Sequence, residues 1–312
     1  MQSRTLLVCT LLAVLAPLAQ ASNTTEVKTG AISQDAYAEE IKAWHASRIS
    51  RLTAPESWLS LIGLEWLKEG PNTVGSATDN AVHIAKLPPH FGVFELKAGQ
   101  VSATLQAGTV ATLNGTPAPA SLQLKDNKSG GTPDTLRCGS MTLVIIRRGE
   151  KIGIRIRDTQ SPQRLQFSGI ETFPVDPSWR IEADWIPFNP SKKISITNVI
   201  GQVEQEDAPG KAVFQREGKT YELIPTQDEP GAELFFVLRD LTSGHETYGA
   251  SRFLVADVPA NGKVLLDFNK LYNPPCAFTD FATCPLPIPE NRLKLRITAG
   301  EQSYKGPGSH AE

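Results

Sequence analysis

The sequence predicts a mainly β protein with a single N-terminal helix, and three observations point that way. Short apolar stretches with alternating polarity recur along most of the chain, divided by Gly, Pro and Asn turns. The 24 glycines and 23 prolines suit many turns better than a bundle of long helices. Only one early segment carries a helical stripe. At 40% hydrophobic and 21% charged residues, the 312-residue chain can bury a core. About fifteen short strands fit two packed β units better than one sheet. The formal charge of -2 gives no global field to hold nucleic acid or an anionic membrane surface.

The first residues read as a leader. Arg4 supplies the positive end, Leu6 to Leu18 form an apolar run, and Ala19-Gln20-Ala21 matches a small-x-small cleavage pattern. The run is too short to span a membrane comfortably, and no later stretch approaches a transmembrane helix. The expectation is signal-peptide cleavage near Ala21 and a secreted or periplasmic protein. Cys9 leaves with the leader, so Cys138, Cys276 and Cys284 remain. An oxidising compartment favours a Cys276–Cys284 disulfide; a thiolate metal site at the same two residues is the alternative. Cys138 reads as a small buried hydrophobe.

Residues 22–57 combine a loose polar segment with the helix. Ser33 can cap it, Asp35 sits in its first turn, and Tyr37, Ile41 and Trp44 form one stripe at i, i+4 and i+7. Trp44 and His45 read as packing and surface. The helix runs to about Leu52, before Pro55. Residues 58–160 form the first β unit, opening on the apolar run Trp58 to Leu67. Strands are predicted at Asn72–Gly75, Ala81–Ala85, Gly92–Lys97, Gln100–Gln106, Val110–Leu113, Met141–Arg147 and Lys151–Arg157. Asn114-Gly115 signals a hairpin. In the last of these strands Ile152, Ile154 and Ile156 face a core, while Arg155 and Arg157 read as a solvated face.

Asp158 to Gln163 reads as a seam, and residues 161–305 form the second β unit. Its strands are expected at Trp179–Ile186, Lys193–Val203, Ala212–Arg216, Thr220–Ile224, Leu234–Leu238, Arg252–Val255, Lys263–Phe268 and Arg292–Thr298. Glu217-Gly218-Lys219 is a turn, and residues 306–312 form a tail. Several chemistries lack their signatures: there is no G-x-G-x-x-G, P-loop, G-x-S-x-G elbow or C-x-x-C. His245-Glu246 begins like a zincin helix, but Gly249 stands where the second His belongs. No cofactor is indicated.

A dense polar C-terminal third remains. Asp240, Thr247, Tyr248 and Arg252 surround a turn at Ser243-Gly244. Arg252 either fixes a carboxylate or phosphate ligand or pairs internally with Asp240 or Asp267. Further on, Pro274, Pro275, Pro285, Pro287 and Pro289 stiffen a long loop that can hold Asp267, Asn269, Tyr272, Asn273 and Glu290 convergently. A structural plug closed by the two cysteines explains the same loop equally well.

Trp58-Leu-Ser-Leu-Ile-Gly-Leu-Glu-Trp-Leu-Lys-Glu-Gly70, Thr247-Tyr-Gly-Ala-Ser-Arg-Phe-Leu254, Asp267-Phe-Asn, Tyr272-Asn-Pro-Pro-Cys-Ala-Phe278, Cys284-Pro-Leu-Pro, Glu290-Asn-Arg-Leu293 and Ala299-Gly-Glu301 together resemble the domain-of-unknown-function 1684 family. The likeness runs from about Trp44 to Lys305 and implies no particular activity. Residues 70–148 are more weakly similar to a forkhead-associated β-sandwich. Thr73-Val-Gly-Ser76 stands where that fold has Gly-Arg, Asp79-Asn80 where it has Asn-Asp, and Asn114-Gly115 where it has Asn-Gly. Ser76 in place of the phosphate-binding Arg implies a sandwich without the phosphothreonine site. The second unit is expected to be a β-barrel or sandwich.

Three functions follow from these residues. The first is a non-catalytic binder of a small ligand or anion, with a pocket lined by Asp240, Thr247, Tyr248, Arg252, Asp267, Asn269, Tyr272, Asn273 and Glu290. The second is a hydrolase-type or metal-dependent enzyme using the Cys276–Arg292 loop, with His245 or Glu290 as base or a metal on Cys276 and Cys284. The third is a protein-interaction scaffold docking through the loops of the first sandwich.

Overall fold

The computed structural model describes residues 33–308. The leader-like segment and its expected cleavage point lie outside them. The predicted helix spans Gln34–Leu52 and buries Tyr37, Ile41, Arg48 and Leu52. A one-turn helix at Trp58–Ser60 then leads into the strand Leu61–Trp66, so the apolar run starting at Trp58 divides into two elements. Residues from Gln34 onward cluster as one compact unit containing two principal cores.

The first core lies between two sheets. One has the strand order Leu61–Trp66, Lys151–Asp158, Met141–Arg148, Leu136–Cys138, Thr112–Leu113, Thr116–Pro117. The other runs Val82–His83, Gly70–Gly75, Gly92–Lys97, Gln100–Leu105, Ser121–Leu124. Period-2 alternation places Ile152, Ile154 and Ile156 with Phe94, Val101 and Ala103 in the shared interior. Asn114 and Gly115 both take positive φ, 51° and 85°, as the hairpin between Thr112–Leu113 and Thr116–Pro117 requires. Asp158, at the end of its strand, is buried and ion-paired to Lys86.

The second core is enclosed by a four-stranded sheet ordered Lys219–Leu223, Val203–Arg216, Arg180–Thr197, Lys263–Asp267 and by the hairpin Leu234–Leu238 with Arg252–Ala256. The expected strands Trp179–Ile186 and Lys193–Val203 are parts of one strand, Arg180–Thr197, whose pairing shifts register between Pro187 and Lys192. Proline at 187 and 190 removes ladder donors there, which accounts for the interruption.

Two expectations are corrected. Arg292–Thr298 is not a strand of any sheet: its first half only bridges Arg239–Leu241, where the Leu293 N–H donates to the Arg239 carbonyl at 2.7 Å and the Leu295 carbonyl accepts from the Leu241 N–H at 3.0 Å. Leu293, Leu295 and Ile297 do alternate into the second core, but side chains take several of the backbone groups that a partner strand would use. Arg252 donates through Nη2 to the Ile297 carbonyl at 3.1 Å and through Nη1 to the Ala299 carbonyl at 2.6 Å. The Ile297 N–H donates to Asp240 Oδ2 at 2.7 Å, and the Lys294 carbonyl accepts from the Tyr221 hydroxyl at 3.2 Å. Alternation reported which side chains are buried, not what satisfies the backbone.

The second correction is Arg155, which is only 8% exposed. Leu61, Val237, Phe253, Cys276, Ala282 and Cys284 form an apolar cluster, with Trp58 and Phe281 packed against it, between the outer face of the first sandwich and the second unit. The face read as solvated is therefore a covered seam.

Arg252 and Asp240 are each about 1% exposed and lie 3.4 Å apart. Asp240→Ala should strand a buried guanidinium and release the Ile297 N–H. Urea unfolding is expected to show a loss of about 3–5 kcal/mol. A change below about 0.5 kcal/mol, typical of surface substitutions, would show that the pair does not replace the missing ladder.

Candidate functional site

The polar residues singled out in the C-terminal third are mostly bonded inside the fold. Asp240 Oδ1 accepts from Thr242 Oγ1 at 2.8 Å, and the Thr242 hydroxyl lies 2.8 Å from that of Thr247, so Asp240, Thr247 and Arg252 form one interior network. A second network starts from the helix, where the Tyr37 hydroxyl donates to Asp267 Oδ1 at 2.6 Å. Asn269 Nδ2 donates to the Tyr37 oxygen at 3.0 Å and to the Asp176 carbonyl at 2.9 Å. Burial, followed by the Asp267 hydrogen bond and charge, holds the Tyr37 hydroxyl far above its ordinary pKa, so it stays a donor. Tyr248 donates to the Cys276 carbonyl at 3.2 Å. Glu290 is exposed on the turn Pro289–Asn291, and His245 is exposed as well.

Glu301 organises a third network. Its carboxylate is fully buried and accepts from Arg48 Nε at 3.2 Å and from the Asn273 N–H at 2.7 Å. Arg48 Nη2 also donates to the Asn273 carbonyl at 2.9 Å. Arg48 is thus fixed with its guanidinium 4.8 Å from the centre of the Tyr272 ring. Trp44, one helical turn earlier, lies 6.4 Å from the same ring.

These contacts build the wall of a cavity of about 580 Å³ lined by Trp44, Arg48, Arg51, Ser57, Trp58, Glu233, Lys270 and Tyr272, among others. The helix contributes Trp44, Arg48 and Arg51 at i, i+4 and i+7, on one face. Glu40 holds Lys270 at 2.6 Å, while the exposed Arg51 donates to Ser47 Oγ at 2.6 Å. Burial raises the pKa of the Tyr272 hydroxyl, Arg48 opposes that rise and Glu301 adds to it. Of the predicted site residues Tyr272 alone lines this groove. Asn269 lines a neighbouring cavity of about 410 Å³ on the other side of Trp44.

The helical stripe was legible, but Arg48 and Arg51 were not. They occupy the spacing of a surface face, and nothing in the sequence ties Glu301 to a helix some 250 residues earlier. A third cavity, of about 280 Å³, is lined by Arg148, Lys128, Asn198, Glu204, Glu206, Asp228 and Thr283, among others. Burial raises the Glu206 carboxyl; Lys128 opposes the rise, and Glu204 and Asp228 reinforce it. Among the described residues no group of three or more His, Cys, Asp or Glu side chains is arranged to hold a metal ion. No described helix is long and apolar enough to cross a membrane.

The expected Cys276–Cys284 disulfide is not formed in this structure, and both residues are free thiols. The Cys276 N–H donates to Cys284 Sγ at 3.1 Å, and the Cys276 thiol points at the Ala282 carbonyl, 3.5 Å away. Hydrogen bonding between the two sulfurs lowers the Cys276 pKa and raises that of Cys284, and burial adds to the rise. Cys138 is half-buried at a strand end, and burial raises its thiol.

Together these features define a mainly β protein whose helix closes a cationic, aromatic-walled groove. Residues 165–302 match the family described as "Protein of unknown function (DUF1684)". The match takes in Thr247–Leu254, Tyr272–Phe278 and Ala299–Glu301; the run from Trp58 to Gly70 lies outside it. No curated protein matches the chain. An uncharacterized protein of Haloarcula marismortui, solved by NMR, is 28% identical at a TM-score of 0.37, covering 44% of this chain and 77% of that one. The forkhead-associated domain of FhaA, solved in complex with the intracellular domain of another protein, is 17% identical at a TM-score of 0.21, covering 30% of this chain and 97% of that one. A forkhead-associated domain from a study of phosphothreonine-dependent interactions gives 17% and 0.21, with 30% and 92% covered.

Thiol labelling checks the cysteine geometry. In the folded, reduced protein an alkylating reagent should modify Cys138 first, and Cys276 and Cys284 only on unfolding. Modification of Cys276 or Cys284 at the rate of a free thiol would mean that the loop around them opens.

Proposed function

We propose that the protein is a non-catalytic binder of a small oxyanion-bearing ligand, with the helix-lined groove as its site. The supporting observation is the convergence of Arg48, Arg51 and Lys270 with Trp44, Trp58 and Tyr272 on one cavity of about 580 Å³. Guanidinium groups pair with carboxylate or phosphate oxygens, and flat aromatic walls take the ligand's apolar or planar body. Tyr272 is the member of the sequence-derived set that carries over to this reading. The enzyme alternative has less support, because His245 and Glu290 lie exposed and line none of these cavities.

Binding should be read by thermal shift and calorimetry across carboxylated and phosphorylated small molecules with aromatic or sugar bodies. The expected result is saturable stabilisation that falls about ten-fold in Arg51→Glu, an exposed position, and in Trp44→Ala. No response in the whole panel, or one unchanged in both variants, would overturn the groove as the site.

We also infer export from Arg4, the apolar run Leu6 to Leu18, and Ala19-Gln20-Ala21. N-terminal sequencing of the mature protein should begin at Ser22. An intact Met1 in the exported fraction would refute this.

A further inference from the structure

We propose that Arg155, flanked by Arg148 and Arg157, forms an oxyanion site in the seam between the first sandwich and the Cys276–Cys284 loop. The site would take a phosphate, sulfate or carboxylate group. This inference is independent of the groove reading, because it rests on different cationic side chains, with Trp58 alone shared, and on an unmet bonding requirement.

Arg155 sits mid-strand in Lys151–Asp158, opposite Val144 on one neighbour and Leu64 on the other; Arg157 stands opposite Thr142 and Leu61. Both point away from the isoleucine core, into the seam. Arg155 is 8% exposed. Its Nε and Nη2, and Nε of Arg157, are buried without a hydrogen-bond partner.

The surroundings supply aromatic contact but little negative charge. The Trp58 ring centre lies 5.1 Å from the Arg155 guanidinium and 6.0 Å from that of Arg157. Glu56 attracts Arg157, yet its Oε1 already accepts from Arg137 and from the Thr142 hydroxyl. Arg148 spends its Nε on Thr283 Oγ1 and its Nη1 on the Arg147 carbonyl. Burial, with repulsion from Arg157 and Arg148, pulls Arg155 down to about 9. At neutral pH it is still a cation.

A buried, ionised fork with two unused donors lacks an acceptor, and a tetrahedral or planar oxyanion matches that geometry. Of the array, Arg148 lines the cavity of about 280 Å³, and Trp58, the aromatic neighbour of Arg155 and Arg157, lines the one of about 580 Å³.

The test is unfolding of the full chain in an anion-poor buffer, titrated with inorganic phosphate and separately with sulfate. Wild type should gain stability with saturation. Arg155→Met should be as stable as wild type or more so without the anion, because it removes an unpaired buried charge, and should not respond to phosphate. Arg155→Lys, which keeps the charge but loses the fork, should weaken phosphate binding about ten-fold. Arg51→Glu should leave the phosphate response in place. A wild type indifferent to both anions, or a response that survives Arg155→Met and disappears in Arg51→Glu, would overturn the seam site.

Discussion

The arrangement of the C-terminal half depends on one buried carboxylate. Glu301 is fully buried and holds Arg48 of the helix and the Asn273 N–H together. Its backbone N–H donates to the Leu271 carbonyl, and its own carbonyl accepts from Arg252. Helix, proline-stiffened loop and the network replacing a strand ladder therefore meet at one residue. Removing one partner of a buried ion pair costs about 3–5 kcal/mol, far more than an exposed pair contributes. The groove inherits this anchoring. Trp44 and Arg51 take their places as neighbours of Arg48 on one helical face, and Tyr272 as the residue before Asn273.

Much of the fold was legible because its determinants are local. The helix boundary near Leu52, the alternation of Ile152, Ile154 and Ile156, and the Asn114-Gly115 hairpin each depend on residues within one element. Arg292–Thr298 shows the limit. Its alternation reports burial correctly, yet its backbone bonds are divided between the Arg239 and Leu241 backbone and the side chains of Arg252, Asp240 and Tyr221, all far away in sequence. The candidate site was less legible for the same reason. Asp240, Arg252, Asp267 and Asn273 looked like ligand contacts because they are polar and clustered. Polar side chains at such density serve equally well to satisfy irregular buried backbone, as they do here.

The formal charge of -2 excluded a global electrostatic role but said nothing about local fields. The covered face of the first sandwich shows the difference. Arg155 and Arg157 alternate with isoleucines in a pattern that normally puts charge in water. The loop carrying Cys276 and Cys284 packs over that face, and two guanidinium groups are left in a seam with Trp58 and little carboxylate. The information needed lay in a loop about 120 residues further along the chain.

Magnitudes decide how such a seam can be tolerated. Desolvating an ion costs several kcal/mol even after the protein relaxes. A cation–π contact returns about 0.5–2 kcal/mol, and Trp58 must serve two cations from its one ring system. Like charge from Arg148 and Arg157 adds to the cost. The protein could avoid it with an apolar side chain of similar length, since Met fills buried space without charge. The proposed oxyanion would supply the acceptor that a guanidinium 92% shielded from solvent otherwise lacks. Trp58 lines the groove with one part of its surface and faces the Arg155 guanidinium at 5.1 Å.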